Sequence, residues 1–420
     1  MPGADSMLPK NNIHLLFATR IIRLFCYGFL SVILALYLTQ IGLDEKQVGL
    51  LFSLTLAGDA GVSLWLTTSA DRFGRKKTLI VGALLMAGAG LTFIFTHNIV
   101  LLMAAAIIGV ISPSGNEIGP FLSVEQASLA QLIPNEARTR TYAWYNLAGS
   151  FATATGALTG GWLAQFFQSR GWSEFESYRL VLTGYAIGGI ILMFLFMGLP
   201  STIEVANAPA NRPALGLHRS RGIVLKLSAF FALDAFAGGL IVQSLIAYWF
   251  HVKFGVEPGV LGSIFFGANI LAGISALSAA LLAEKFGLIN TMVFTHIPSN
   301  ILLILVPLMP NLPLAIGVLL LRFSIAQMDV PTRQSYTIAV VAPDERSAAS
   351  GVTSIARSVG ASLSPALNGL FLATPTLFSF PFFCAGGLKI IYDLLLYRSF
   401  VTLKPPEETS EMLDANRSKS

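Results

Sequence analysis

The feature that most constrains this chain is a series of apolar runs that recur along its 420 residues. A helix needs about 20 residues to cross the roughly 30 Å of hydrocarbon in a bilayer. About twelve runs are long enough, and they lie near 13–40, 48–69, 77–97, 99–131, 140–167, 179–200, 222–250, 259–283, 288–309, 312–341, 348–373 and 378–401. The sequence therefore predicts an all-α integral membrane protein with twelve transmembrane helices.

The composition excludes most soluble classes of protein. Charged residues make up 12% of the chain and hydrophobic residues 54%, whereas a soluble domain carries about 25% charged residues. In a membrane protein the net charge of +5 does not indicate nucleic-acid binding. Cys26 and Cys384 lie in apolar runs, the five histidines have no metal-ligand spacing, and no phosphate-binding glycine loop is present. We therefore expect neither an enzyme nor a bound metal or other cofactor.

The longest polar gap between the runs divides them into six plus six. Its prolines, asparagines and arginines are typical of a linker. At one constant offset, residues 41–44 align with 254–257, and residues 70–74 align with 283–287, which indicates an internal duplication. We predict two pseudo-symmetric six-helix bundles in residues 1–200 and 222–403, a cytoplasmic linker in 201–221 and a polar cytoplasmic tail in 404–420.

The basic residues indicate how the helices are oriented. With both termini in the cytoplasm, the inward loops hold eleven basic residues, and three more follow the last helix. The outward loops hold only Lys46, Arg170, Arg179 and Lys253. Cytoplasmic loops carry an excess of Lys and Arg. We predict a multi-pass protein of the cell membrane (a plasma or inner membrane) with both termini in the cytoplasm.

The loop between the second and third runs reads Ala-Asp-Arg-Phe-Gly-Arg-Lys-Lys over residues 70–77. Glycine permits a tight reversal between two helices there. The loop resembles the signature loop of the major facilitator superfamily, and the turn at 134–138 resembles a proline–acid–arginine turn of that family. The resemblance implies the fold of that superfamily and a cytoplasmic gate formed by Asp71, Arg72, Gly74, Arg75, Lys76 and Arg138.

Ionisable side chains inside the predicted membrane helices are the main functional candidates, because each costs at least about 2.5 kcal/mol to insert unless it faces the protein interior. Most of them lie in the first, fourth, seventh and tenth helices, which line the central cavity in the resembled family. We expect Glu125 to face Arg333 across the cavity, or Asp329 to pair with Arg333 along their own helix. The candidates for substrate binding or pairing between the bundles are Arg20, Arg23, Tyr27, Glu125, Arg322, Asp329 and Arg333.

A proton-coupled transporter needs a carboxyl group inside the membrane that can bind and release a proton. Asp59 is the first candidate, because no cationic residue lies one helical turn away and because it is about 18 Å from Asp71 along the helix. Glu117 and Asp234 are competing candidates. We expect an ion gradient, of protons, as the energy source.

The fifth helix contains Gly-Ala-Leu-Thr-Gly-Gly over residues 156–161, which resembles the glycine-rich motif of drug:proton antiporters, with Ala157 in place of the proline. Close helix packing gives the same pattern. We predict a secondary transporter that works as a monomer in the lipid bilayer, by alternating access, in proton-coupled efflux of a drug-like molecule or metabolite. The alternatives are a proton-coupled symporter for an organic anion or nutrient, and a non-transporting receptor or scaffold. Unpaired arginines in the cavity would indicate an anionic substrate, and unpaired carboxylates a cationic one.

Overall fold

The computed structural model describes residues 8–117, 119–133, 138–200, 203–204, 218–342 and 345–403, without the side chains of 8–11, 67–69, 71–72, 138–139 and 347. The described regular structure is helical. Its sixteen α-helices are α1 (Leu8–Ser31), α2 (Leu34–Gln40), α3 (Glu45–Phe73), α4 (Arg75–Phe95), α5 (Ile99–Ile108), α6 (Phe121–Leu132), α7 (Arg138–Ser169), α8 (Glu174–Met197), α9 (Arg221–Gly239), α10 (Gln243–Phe254), α11 (Pro258–Phe286), α12 (Leu288–Leu305), α13 (Leu312–Phe323), α14 (Asp329–Ala339), α15 (Arg346–Leu372) and α16 (Phe380–Phe400).

Each of the twelve predicted spans corresponds to one helix or to two helices in succession. The first, fourth, seventh and tenth spans are the broken ones, made of α1 and α2, α5 and α6, α9 and α10, and α13 and α14. Each of these four predicted transmembrane helices is therefore interrupted inside its span. By length and apolar composition alone, eight described stretches could cross a membrane. The fourth and tenth spans are not among them because their helices are short, and α7 and α15 are rich in small and polar residues.

Two of the four breaks have a clear local cause. The segment 109–120 between α5 and α6 contains two prolines and two glycines with positive φ, Gly115 at 70° and Gly119 at 80°. In the tenth span, the ring of Pro331 clashes with the carbonyl group four residues earlier, so the helix cannot continue through that turn. The turn at 32–33 contains neither proline nor glycine, and its position is not visible in the sequence.

The sequence repeat is also present in the backbone. Gly42 and Gly255 both have positive φ, at 95° and 64°, and they are 213 residues apart. Gly74 and Gly287 are the same distance apart, with φ of 99° and 82°. Gly74 precedes α4 and Gly287 precedes α12, so each glycine makes a tight reversal between two long helices. The predicted role of Gly74 in this reversal is confirmed.

By their internal contacts, the described residues form two units. Unit 1 contains those in 1–210, 242–270 and 365–375, and unit 2 contains those in 211–241, 271–364 and 376–420. The division into bundles at 1–200 and 222–403 stays a prediction from the repeat. Two unit boundaries fall where a helix can bend, at the break in the seventh span and at proline 365 in α15.

Within unit 1, glycines let helices from the two halves of the sequence pack backbone against backbone. A Cβ atom on Gly161 of α7 would lie 2.2 Å from the carbonyl oxygen of residue 258 and 2.9 Å from the Cα atom of Gly262. A Cβ atom on Gly49 of α3 would lie 2.8 Å from the Cα atom of Gly369. Side chains cannot fit at such distances. We refer to Gly49, Gly161, Gly262 and Gly369 as the glycine seam.

The glycines of the fifth-helix motif serve a second close contact in unit 1. A Cβ atom on Gly156 would lie 2.1 Å from the carbonyl oxygen of Phe25, and one on Gly160 would lie 2.1 Å from that of Phe29. Both phenylalanines belong to α1. Close packing of α1 against α7 therefore accounts for this motif without any role in the direction of transport.

Unit 2 is built in layers. An apolar cluster joins α9, α12, α14 and α16, and it consists of Leu227, Phe231, Ile289, Met292, Val293, Tyr336, Tyr392, Leu396 and Phe400. One helical turn away on each helix lies a buried ionisable residue: Asp234, His296, Arg333 and Lys389. The apolar cluster thus closes one side of a charged layer.

Candidate functional site

The broken first and fourth spans bring together a first charge cluster, made of Arg20, Arg23, Glu117 and Glu125 in unit 1. Glu117 lies between α5 and α6, and its oxygens accept hydrogen bonds from Arg20 Nη1 at 2.9 Å and Arg23 Nε at 2.8 Å. Arg23 also binds Glu125 with two parallel hydrogen bonds, Nη1 to Oε1 at 2.8 Å and Nη2 to Oε2 at 2.7 Å. Two cations thus meet two anions, and the cluster is neutral.

Glu125 is surrounded by hydrogen-bond donors. Besides Arg23, the hydroxyl of Thr19 donates to Oε1 at 2.8 Å, and the hydroxyl of Tyr145 donates to Oε2. The guanidinium of Arg20 lies 4.4 Å from the centre of the Tyr145 ring, within range of a cation–π contact. A buried ion pair needs such additional hydrogen bonds to offset its desolvation. The first charge cluster therefore holds α1, α6 and α7 in a fixed arrangement.

Asp59 stands apart from this cluster. Its Oδ1 accepts hydrogen bonds from the backbone N–H of Gly119 at 2.6 Å and from the hydroxyl of Ser63 at 3.0 Å. Within the described part of the chain, no cationic side chain forms an ion pair with it. Asp59 therefore joins α3 to the break in the fourth span and has no permanent counter-charge at ion-pair distance.

A second charge cluster lies in unit 2, around Asp234 of α9. Its Oδ2 lies 3.2 Å from Arg333 Nη1 and 3.1 Å from Arg357 Nη1, and its Oδ1 lies 2.5 Å from Lys389 Nζ. The same Nη1 of Arg333 lies 2.8 Å from Asp329 Oδ2, four residues earlier in α14. Asp234 is thus the point at which cations from α14, α15 and α16 meet.

A buried histidine extends this cluster. Nδ1 of His296, in α12, lies 2.9 Å from Asp393 Oδ1 and 3.1 Å from Oδ2, and Asn300 donates to Oδ2 at 3.2 Å. Nε2 of His296 lies 4.0 Å from Oδ1 of Asp234. We define the second charge cluster as Asp234, His296, Asp329, Arg333, Arg357, Lys389 and Asp393.

Arg322 is the exception among the buried cations. It lies in the last turn of α13, next to the break in the tenth span, and is 8% exposed. In the described residues it forms no ion pair, and its Nε has no hydrogen-bond partner. Its guanidinium lies 4.9 Å from the ring of the neighbouring Phe323. A buried guanidinium with unused donors can bind an anion.

The structure distributes the predicted site residues over these groups. Arg20, Arg23, Glu117 and Glu125 come together, Tyr27 is fully buried in the same helix as the two arginines, and Asp234, Asp329 and Arg333 come together in unit 2. The i, i+4 pair of Asp329 with Arg333 is confirmed. Glu125 and Arg333 each have ion-pair partners inside their own unit, so the pairing that we expected between them is not needed to neutralise either residue.

Several functional candidates were missed by the sequence reasoning. Arg357, Lys389 and Asp393 lie in α15 and α16, helices from which no candidate was taken. All three are ionisable residues inside apolar runs, so the rule that identified Asp234 would have found them. His296, expected to be a hydrogen-bonded core residue, is one. Among the described residues, no group of three or more His, Cys, Asp or Glu side chains is placed to hold a metal.

The signature loop binds the segment that follows α8. Glu204 accepts hydrogen bonds from the backbone N–H groups of Arg75 at 2.7 Å and Lys76 at 3.2 Å, and therefore caps the N-terminus of α4. Nζ of Lys76 donates to the carbonyl oxygen of Leu199 at 2.8 Å. Glu204 is a further partner that the sequence did not indicate. The side chains of Asp71, Arg72 and Arg138 lie outside the described residues, and the gate stays a prediction.

Glu345 caps a helix in unit 2 in the same way. Its carboxylate accepts hydrogen bonds from the backbone N–H groups of His218, Arg219 at 2.7 Å and Ser220 at 2.8 Å, just before α9. The hydroxyl of Ser220, together with these N–H groups, lowers the pKa of Glu345 to about 2, although burial opposes the shift. The loop before α15 is thereby held to the start of α9.

Comparisons of sequence point to one family. The sequence model described as Major Facilitator Superfamily matches residues 16–365. An uncharacterized membrane protein of Saccharomyces cerevisiae is 31% identical over 424 aligned residues, which cover 93% of this chain and 94% of that protein. The quinolone resistance protein NorA of Staphylococcus aureus is 23% identical over 138 residues, which cover 33% of this chain and 34% of NorA.

Solved structures share the fold. The crystal structure of a mutant of the nucleoside transporter NupG matches with a TM-score of 0.76 at 14% sequence identity. The match covers 93% of this chain and 100% of that chain. This chain therefore shares its overall fold with a solved membrane transporter.

Proposed function

The chain belongs to the major facilitator superfamily, and on that premise we propose that it is a proton-coupled secondary transporter of a small organic anion that works by alternating access. The family and the fold make it a multi-pass membrane transporter rather than an enzyme. The substrate class, the coupling ion and the direction of transport are our proposal. So is its place in a cell membrane, as a monomer with both termini in the cytoplasm.

The observation that carries the anionic substrate is Arg322. It is buried, it lies at a helix break, and within the described residues it has no ion pair. Around it, the permanent charges of the second cluster balance, with Arg333, Arg357 and Lys389 against three aspartates. Among these described residues, Arg322 therefore has no carboxylate partner at ion-pair distance. A carboxylate, sulfonate or phosphate group on a substrate would supply the missing partner.

Proton coupling is supported by Asp59. A carboxyl group inside a membrane helix without a permanent counter-charge changes its net charge when it binds a proton. Protonation also weakens its hydrogen bond from Gly119, because a carboxylate is a stronger acceptor than a carboxylic acid. Since Gly119 lies in the break of the fourth span, proton binding acts on a segment that can change shape. Asp234 is a weaker candidate, because three cations already compensate its charge.

Alternating access is supported by the contacts within unit 1. The glycine seam joins α3 and α7, from the first half of the sequence, to α11 and α15, from the second half. Beside it, Ser244 donates hydrogen bonds to the carbonyl oxygens of Ser31 and Pro113 at 2.6 and 2.7 Å. These contacts hold the two halves of the sequence together at the end of unit 1 that the distribution of basic residues predicts to face outward. An outward-open state would have to break them.

We place efflux first as the direction of transport. Its support is the resemblance to NorA, whose name connects it with quinolone resistance, and the partial likeness of the fifth helix to the antiporter motif. The motif itself is weak support, because Gly156 and Gly160 are already required by the packing of α1. Uptake of an organic anion together with protons is the second candidate, and the unpaired Arg322 favours it equally.

Transport by purified protein in liposomes tests the proposal. With an imposed pH gradient and a panel of labelled organic anions and cations, we expect at least one anion and no cation to accumulate. Arg322→Gln should reduce that accumulation about tenfold or more, because a hydrogen bond to a charged group contributes about 1.5–3 kcal/mol. The exposed Arg170→Gln serves as the matched control. Accumulation of cations alone, or no response to any gradient, would contradict the proposal.

A further inference from the structure

The proposed function makes no use of a buried titratable pair in the ninth and twelfth spans. His296 of α12 is 5% exposed and Asp393 of α16 is fully buried. Both lie outside the four broken spans. The apolar cluster of unit 2 lies one helical turn away and excludes water from that side of the pair. A buried histidine and aspartate in contact call for an explanation, because each loses hydration when it is charged.

The contacts show where one proton is held. Asp393 lies at hydrogen-bond distance from Nδ1 of His296 and also accepts from Asn300. Within the described residues, no lysine or arginine pairs with Asp393. A buried carboxylate without such a partner needs a proton between itself and its neighbour. One proton therefore lies between Nδ1 and Asp393, whichever of the two atoms carries it.

The second ring nitrogen faces another carboxylate. Nε2 of His296 lies 4.0 Å from Oδ1 of Asp234, and the same Oδ1 lies 2.5 Å from Nζ of Lys389. A second proton, on Nε2, would place an imidazolium between two carboxylates. It would also attract Oδ1 of Asp234 away from Lys389. Asp234 in turn contacts Arg333 and Arg357, so the change would reach α14 and α15.

The surrounding charges permit one additional proton. The charged groups around the histidine come from every helix packed against α12 and from its neighbours: Asp234 of α9, Arg322 of α13, Asp329 and Arg333 of α14, Arg357 of α15, and Lys389 and Asp393 of α16. With a neutral histidine, the second charge cluster has three cations and three anions. A proton on Nε2 makes the cluster positive by one charge.

We infer that His296 and Asp393 form a second proton-binding site within the second charge cluster, and that the proton on Nε2 competes with Lys389 for Asp234. This inference adds a second site to the proposed proton coupling. The role of that site in transport rests on the proposed function. Binding of the proton itself does not depend on that role. The structure thus places a proton site in helices that contribute none of the coupling candidates identified from the sequence.

The direct test is a pH titration of the imidazole groups in the full-length protein, labelled at its five histidines and purified in detergent, without solute or gradient. The His296 signal is identified by its loss in His296→Gln, with the exposed His14→Gln as the matched control. We record this signal between about pH 5 and 9 and expect it to report the binding of one proton. In Asp393→Asn its midpoint should move by about one pH unit or more.

A single protonation state of His296 across this range, or a midpoint that is unchanged in Asp393→Asn, would overturn the inference. If Asp393→Asn does not fold, Asn300→Ala serves in its place, because it removes a donor from the same carboxylate. A failure of the proposed function leaves this result untouched, since no transport is measured. The role in coupling is tested separately in liposomes. There, His296→Gln should lose the pH dependence of anion exchange, and an unchanged pH profile would overturn that role.

Discussion

Arg23 and Glu125 form a bidentate ion pair in which both side chains are fully buried, with nitrogen–oxygen distances of 2.8 and 2.7 Å. The pair joins α1 to α6, the second half of the broken fourth span. Two short helices have fewer backbone hydrogen bonds along the span than one continuous helix. The ion pair therefore supplies a contact that helps to fix α6 in place.

Removal of one partner of this pair should destabilise the protein strongly. After Glu125→Gln, Glu117 is the carboxylate that still pairs with Arg23. Loss of one partner of a buried ion pair lowers the free energy of unfolding by about 3–5 kcal/mol. The measurement is thermal or denaturant unfolding of the purified protein in detergent. Glu284→Gln, at an exposed glutamate, is the matched control and should change the stability by less than about 0.5 kcal/mol. Equal stability of the two variants would show that the pair contributes nothing.

Membership in the first charge cluster could be predicted from the sequence, but the pairing of its residues between helices could not. Arg23, Glu117 and Glu125 stand out because ionisable residues are rare in apolar runs. Which of them meet depends on the rotation of each helix and on the break at 109–120, and neither is encoded at a fixed spacing. The expected pairing of Glu125 with Arg333 rested on their equivalent places in the repeat. Each has ion-pair partners inside its own unit, and the pairing between them stays a prediction.

The glycine seam gives a prediction about conformational change. Gly161→Trp should prevent the contact with Gly262 and favour the state in which this end is open. Overpacking costs about 1–3 kcal/mol, which shifts a two-state equilibrium about 5- to 150-fold. The readout is labelling of Ser31→Cys by an impermeant thiol reagent, in a background with Cys384→Ser. Ser31 is fully buried beneath Gln243 and should become reactive.

The matched control for this variant is Gly88→Trp, because nothing lies within 4 Å of a Cβ atom at Gly88. It should leave Ser31→Cys protected and transport unchanged. Protection of Ser31→Cys that persists in Gly161→Trp, in a folded protein, would count against a role of the seam in alternating access.

Glu345 gives a prediction about pH. Its pKa is lowered to about 2 in the folded protein, below the value of about 4.3 for an unperturbed glutamate. The stability that its carboxylate contributes is therefore complete above about pH 4.3 and is lost as the pH falls through about 2. The difference in unfolding temperature between wild type and Glu345→Gln should be constant from pH 5 to 7 and smaller at pH 3. A difference that grows below pH 4 would contradict this assignment.

The fold was more predictable than the site because most membrane spans carry their own signal. About twenty apolar residues identify such a span whatever surrounds it, and the glycines at 42, 74, 255 and 287 mark turns between helices. The break at 32–33 has no such signal, because it contains neither proline nor glycine. Glu204 and Glu345 bind backbone N–H groups far away in the sequence, and no local pattern announces such contacts.

The most direct test of coupling is the pH inside liposomes that contain the protein and a trapped fluorescent pH indicator. When a transported organic anion is added without an imposed gradient, we predict that wild type changes the internal pH. Asp59→Asn should abolish the change while it still exchanges labelled anion, and the exposed helix cap Asp44→Asn should behave as wild type, since asparagine caps equally well. Entry of labelled anion into wild-type liposomes with no change in internal pH would contradict the account.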